Sequence, residues 1–127
     1  MPRPVLRIGT RQDALRLFAP LDRSAVEAVG IAYLGPDRSL LGLRHAMGRA
    51  DSAAVPVTRI VRDALALSAR SLLIAHNHPD GDPRPSAADL ALTRRLAQGL
   101  AMLDMVVLDH LILAPGGTVS LRDMGMM

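Results

Sequence analysis

The chain of 127 residues has no cysteine, lysine or tryptophan, and only one tyrosine, one phenylalanine and one glutamate. The absence of cysteine excludes disulfides, thiol nucleophiles and thiolate metal ligands, so a metal site here would draw on histidine and carboxylate. It also fits a reducing compartment. With so few aromatic side chains, the stacking platforms that bind unpaired bases are missing. No run reaches the ~18 apolar residues of a membrane span. The longest candidate, Met105 to Ala114, is broken by Asp109 and His110. The arginine-bearing N-terminus lacks the uninterrupted apolar segment of a secretory signal. A cytoplasmic protein with no membrane partner is therefore expected.

What remains is enough for one domain. Half of the residues are hydrophobic, and a folded chain of this size buries roughly two-thirds of the surface its unfolded form exposes. Residues 1–127 are read as a single domain, with 1–26 an N-terminal extension and helix and 27–127 the core. The sequence pI of about 10.9 rests on a net charge of only +3, because every one of the 15 basic residues is arginine. Only Arg94 and Arg95 are adjacent, so the charge is scattered rather than gathered into a nucleic-acid footprint.

Local signals divide the chain into alternating elements. Thr10 and Asp13 form a capping box opening a short helix through Leu15 and Phe18, which Pro20 is expected to end. A second helical turn is expected from Asp22 towards Glu27. Val29, Ile31 and Tyr33 alternate along a strand from Glu27 to Leu34. Gly35-Pro36-Asp37 is a turn, and Ser39 to Leu43 returns as a second strand. The polar, small segment Arg44 to Ala54 reads as a loop or irregular strand. Thr58 to Ala69 is an amphipathic helix, and Ser71 to His76 a buried strand. Three prolines and a glycine make residues 77–85 an ordered loop. A helix opens at Ser86, with Leu90, Leu92, Leu96, Leu100 and Leu103 near helical spacing. Met105 to Leu113 is a strong strand, and Thr118 to Leu121 a last edge strand after the turn at Pro115-Gly-Gly117. Helices interleaved with a mixed, mostly antiparallel sheet predict a three-layer α/β sandwich.

The chemistry concentrates between residues 76 and 89. Two histidines at i and i+2 at the end of a strand project to the same side. The loop can turn the chain back, placing Ser86 at a helix N-cap and Asp89 in the first turn. Two imidazoles and a carboxylate leave one tetrahedral position open, the pattern of a catalytic Zn²⁺ site. Such an ion lowers the pKa of bound water from ~15.7 towards ~7 and polarises a carbonyl. Glu27, the lone glutamate, is a candidate general base at the start of a strand. Ser86-x-x-Asp89 reads equally as a structural capping box. In a strand, Asp109 and His110 face opposite sides, and one of them could orient a metal-bound histidine. His45 is assigned no role.

The string from Leu72 to Leu96 resembles the signature of the RadC family, a branch of the JAMM (MPN+) zinc metalloproteins, whose pattern is an upstream Glu followed by H-x-H-x7-S-x2-D. The strand beginning at Glu27, the Asp109-His110 strand and the closing segment from Gly117 to Gly125 are similar too. The resemblance implies a JAMM/MPN-type fold and a zinc hydrolase. His76, His78 and Asp89 would be the ligands, Glu27 the base that passes a proton to the leaving amine, and Ser86 a donor to the oxyanion. The implied substrate is a peptide or protein, cut at a peptide or isopeptide bond. The family's traditional link to DNA repair leaves a nucleic-acid partner as an alternative, and a non-catalytic interaction module is another. The ~26 residues before Glu27 are too few for the helix-hairpin-helix region common in RadC-like chains. Asp80 stands where the family usually has Ser.

Overall fold

Periodicity of burial sorts the chain into a sheet and two helical layers. The computed structural model describes residues 5–47 and 56–127. Five strands, β1 (Ala28–Leu34), β2 (Leu40–Met47), β3 (Ser71–Asn77), β4 (Val106–Ala114) and β5 (Gly117–Ser120), form one sheet in the order β2-β1-β3-β4-β5. β3 and β4 run parallel and every other neighbouring pair is antiparallel. This is the mixed, mostly antiparallel sheet that the sequence predicts. The central strands β1 and β3 are buried along their whole length, whereas β2, at an edge, alternates between half-buried and exposed residues.

The two faces of the sheet carry separate cores. On one, Val29, Ile31, Tyr33, Leu72 and Ile74 pack against Ile60 and Ala64 of α3 (Val57–Ala66) and Leu96 and Leu100 of α4 (Ala87–Ala101). On the other, Ala28, Ala32, Leu34, Leu73 and Leu111 pack against Ala14 of α1 (Arg11–Leu17), Phe18 and Leu21. The result is helices, sheet, helices. Phe18 and Leu21 approach the sheet over Gly30, where a Cβ would lie within 3.0 Å of the phenyl ring. A side chain there would collide with a fully buried ring.

Several boundaries depart from the sequence reading. Pro20 does not end the first helix. α1 closes at Leu17, and Pro20 lies in the first turn of α2 (Ala19–Asp22), where its missing N–H has no intrahelical partner to lose. The expected helical turn from Asp22 to Glu27 is displaced accordingly. Of the two readings left open for the segment from Arg44, loop or irregular strand, Arg44 to Met47 take the strand, because Tyr33 and Arg44 reach across to Asp63 and fix β2 against β1 and α3. The rest of that segment lies outside the described residues. On α4, Leu96 and Leu100 are fully buried, while Leu103 falls beyond the helix and is exposed.

Candidate metal centre

The parallel β3–α4–β4 unit builds the site. β3 ends at Asn77, the chain crosses through a proline-rich loop, and α4 starts with Ser86 as its N-cap. The capping box is complete. Asp89 N–H donates to Ser86 Oγ at 3.0 Å, and Ser86 N–H donates to Asp89 Oδ2 at 2.7 Å. This box also fixes the Asp89 carboxylate towards β3. His76 Nε2 lies 3.0 Å from Asp89 Oδ1, His78 Nε2 lies 3.3 Å from Asp89 Oδ2, and the two Nε2 atoms are 2.7 Å apart. The structural and functional readings of Ser86-x-x-Asp89 therefore coexist in one pair of residues.

The hydrogen-bond partners decide which nitrogens point inward. Thr93 Oγ–H donates to the Asp89 carbonyl at 3.0 Å, so its oxygen accepts from His110 Nδ1–H at 2.6 Å. His110 Nε2 then accepts from His76 Nδ1–H at 2.7 Å. Burial, then the neighbouring charge of His76, push the His110 pKa well below its ordinary value, which keeps the ring neutral as this chain requires. His78 Nδ1–H donates to the Asp82 carbonyl at 2.7 Å. Each of His76 and His78 thus has its Nδ1–H engaged and turns Nε2 to the shared centre.

With both Nδ1–H groups engaged, the two Nε2 atoms at 2.7 Å share a cation: a proton on one of them, which makes His76 a charged donor to Asp89, or a metal ion in its place. Asp89 supplies the negative charge. Burial opposes ionisation of its carboxyl, but the bond and charge of His76 and both bonds of Ser86 outweigh it and hold the pKa far below the carboxylate range. Tetrahedral Zn²⁺ with bonds of ~2.0–2.1 Å spaces its ligand atoms ~3.3 Å apart. The observed separations, 2.7–3.3 Å, need to open by about 0.6 Å at most to match that spacing. One ligand atom from each residue lies within 4.8 Å of the others, and this is a group able to hold a metal ion among the described residues. The donor set, two nitrogens and a carboxylate with no sulfur, fits zinc with an open position.

The centre lies in a cleft of about 500 Å³ lined by Glu27, His76, His78, Asp80, Ser86 and Asp89 among others. Because β1 and β3 are antiparallel, Val29 pairs with His76, and Glu27, two residues earlier, comes to the ligand end of β3. Ser86 Oγ accepts from Asp89, which leaves its hydroxyl hydrogen free to donate. Asp109 and His110 part company, as a strand demands. His110 contacts His76, while Asp109 faces the α1 side and accepts from Ser120, Arg122 N–H and its own neighbour His110 N–H. Asp109 is not brought to the metal centre. Asp80 accepts from Asp82 N–H and shapes the loop, and His45 is exposed on the edge strand β2.

Thr93 escaped the sequence reading, although it stands one helical turn after Asp89 on the same face. The Asp82 carbonyl escaped as well, and a backbone acceptor leaves no residue-type signal.

The chain matches the RadC-like JAB domain over residues 8–126. Relatives include the UPF0758 protein of Cellvibrio japonicus, 38% identical over 115 residues, covering 90% of this chain and 50% of the relative. That of Bordetella avium is 43% identical over 110 residues, covering 84% of this chain and 48% of the relative. That of Acidithiobacillus ferrooxidans is 48% identical over 79 residues, covering 62% of this chain and 35% of the relative. The chain thus spans half or less of the length of these relatives.

Proposed function

The chain belongs to the RadC-like JAB domain family, and on that premise we propose that it is a zinc-dependent hydrolase cutting a peptide or isopeptide amide bond. The observation that carries this reading is the pair of Nε2 atoms from His76 and His78 converging with the Asp89 carboxylate, each ring held in its orientation from behind. His76, His78 and Asp89 would hold the ion. When bound, Zn²⁺ supplies Lewis acidity to the carbonyl and acidifies water at neutral pH. Glu27, on the cleft wall, would take a proton from the attacking water and return it to the leaving amine. The free hydroxyl hydrogen of Ser86 would donate to the oxyanion as charge develops. His110 and Thr93 hold His76 in register and touch no substrate.

A second reading, a non-catalytic interaction module, draws on a separate apolar groove of about 540 Å³ lined by Leu90, Ala97, Met105, Met126 and Met127 among others. The test that separates the two begins with elemental analysis of protein purified without added zinc. About one zinc per chain is expected in the wild type and little in His78→Ala. Glu27→Gln is expected to keep the metal and to lose at least ~100-fold in hydrolysis of a peptide or isopeptide library. Failure of the folded wild type to take up zinc, even when it is added back, would transfer the assignment to the interaction module.

A further inference from the structure

Between the two ligand histidines stands a residue that the metal centre does not use. Asn77 points to the opposite face of β3 and is 2% exposed. Its side chain accepts from Ala28 N–H through Oδ1 at 2.7 Å. Its Nδ2 donates to the carbonyls of Ser24 at 3.2 Å and Val26 at 3.0 Å. All three bonds go to one segment, which joins α2 to β1, and they grip it on both sides of Glu27. That segment has few other anchors. Ser24 N–H donates to Leu21 O, and Ser24 Oγ bonds only within the segment, to Val26. Ala25 and Val26 are exposed. A glutamate on an otherwise weakly held connection has no fixed address. One amide with an acceptor and two donors, buried and fully engaged, supplies it.

We propose that Asn77 is a positioning residue that ties Glu27 to the metal ligands, so that ligand strand and base move as one unit. The inference rests on the proposed role of Glu27. It also gives the central residue of His76-Asn77-His78 a reason for its chemistry. A strand alternates faces, so the two ligands face the ion while the residue between them faces the segment carrying the base. Asparagine fits because both ends of its amide are matched. Aspartate would set a carboxylate against two carbonyls, and alanine would leave the buried Ala28 N–H without its partner and release the Ser24 and Val26 carbonyls.

The single glutamate makes the test direct, since a protein made by cell-free synthesis with carboxyl-¹³C glutamate labels only Glu27 among the side-chain carboxyls. Co²⁺ serves as a paramagnetic probe. In the wild type the Glu27 carboxyl resonance is expected to shift and broaden on Co²⁺ addition. Asn77→Ala and Asn77→Asp are expected to bind one Co²⁺ per chain while losing at least half of that shift. Leu96→Ala, a comparably destabilising core change away from the segment, is expected to keep it. Ala28 amide exchange, measured without metal, is expected to accelerate at least tenfold in Asn77→Ala relative to Ile31 and Tyr33. An unchanged Glu27 response in both variants, or its equal loss in Leu96→Ala, would overturn the proposal. A wild type that binds no Co²⁺, or binds it without a Glu27 response, would instead defeat the hydrolase reading. Ala28 exchange would then decide the tether alone, with unaltered exchange overturning it. Should Asn77→Ala not fold, Asn77→Val, which also lacks the amide and suits a strand, carries both measurements.

Discussion

Thr93 shows how much a single hydroxyl can decide. It receives His110 Nδ1–H and donates to the Asp89 carbonyl, so one side chain joins the support behind His76 to the backbone of Asp89. Removing the oxygen leaves His110, itself fully buried, without an acceptor for its N–H. The ring can then rotate or change tautomer, and the reason for His76 to present Nε2 disappears. Thr93→Val preserves shape and deletes only the hydroxyl. It is expected to weaken zinc binding about 10- to 100-fold, the range seen when partners behind a ligand are lost. Competition against a chromophoric chelator measures this, and wild-type affinity in the variant would show that His76 does not depend on the relay. The cluster of His76, His78 and Asp89 was legible from residue type and spacing. Thr93 was not, because a threonine on a helix face is ordinary until the strand opposite it is known to carry His110.

At the scale of elements, α4 and β2 make contrasting cases. The buried stripe of α4 runs Asp89, Thr93, Leu96, Leu100, so the same face that anchors the metal centre at its N-terminal end enters the apolar core at the other. Its capping box was legible, and so was that of α1. β2 was clearly legible only to Leu43, since the polar residues from Arg44 fit a loop as well as an irregular strand. What extends it is a tertiary clamp. Tyr33 O–H donates to Asp63 Oδ2 at 3.0 Å, and Arg44 Nε donates to the same oxygen at 2.5 Å, tying β1, β2 and α3 together. Burial pushes the Tyr33 hydroxyl above its ordinary range, so it stays protonated as a donor. Arg44 holds the Asp63 carboxyl below its usual value of 3.8, burial opposes this, and Tyr33 adds to the lowering. A carboxyl with a lower pKa folded than unfolded contributes stability that is complete above about pH 4 and is lost as pH falls through the folded value. Asp63→Asn is expected to lower the urea midpoint at pH 6 and to lose less than the wild type on acidification to pH 3. Parallel acid profiles of the two proteins would show that the clamp contributes nothing.

The whole molecule places the metal centre where independent parts of the chain meet. His76, His78 and Asp89 come from the end of β3, the loop after it and the start of α4, their support from β4, and Glu27 from the segment before β1. The three-layer order was legible because buried strands and amphipathic helices differ in period. Pro20 and the exact strand ends were not, because they follow from packing between distant segments such as Phe18 against Gly30. A site assembled from several elements cannot persist in the unfolded chain, so metal binding and folding must be linked. An ion that binds the folded state alone stabilises it by RT ln(1 + [L]/Kd), about 2.7 kcal/mol at a hundredfold excess over Kd. For a domain of 127 residues that corresponds to a rise in Tm of about 10 °C. Calorimetry of metal-stripped protein with graded zinc is expected to show that rise, reversed by a chelator and absent in His78→Ala. If the wild type gained no more than His78→Ala, zinc would be binding outside this centre, and the convergence of His76, His78 and Asp89 would be a feature of the fold without a metal to hold.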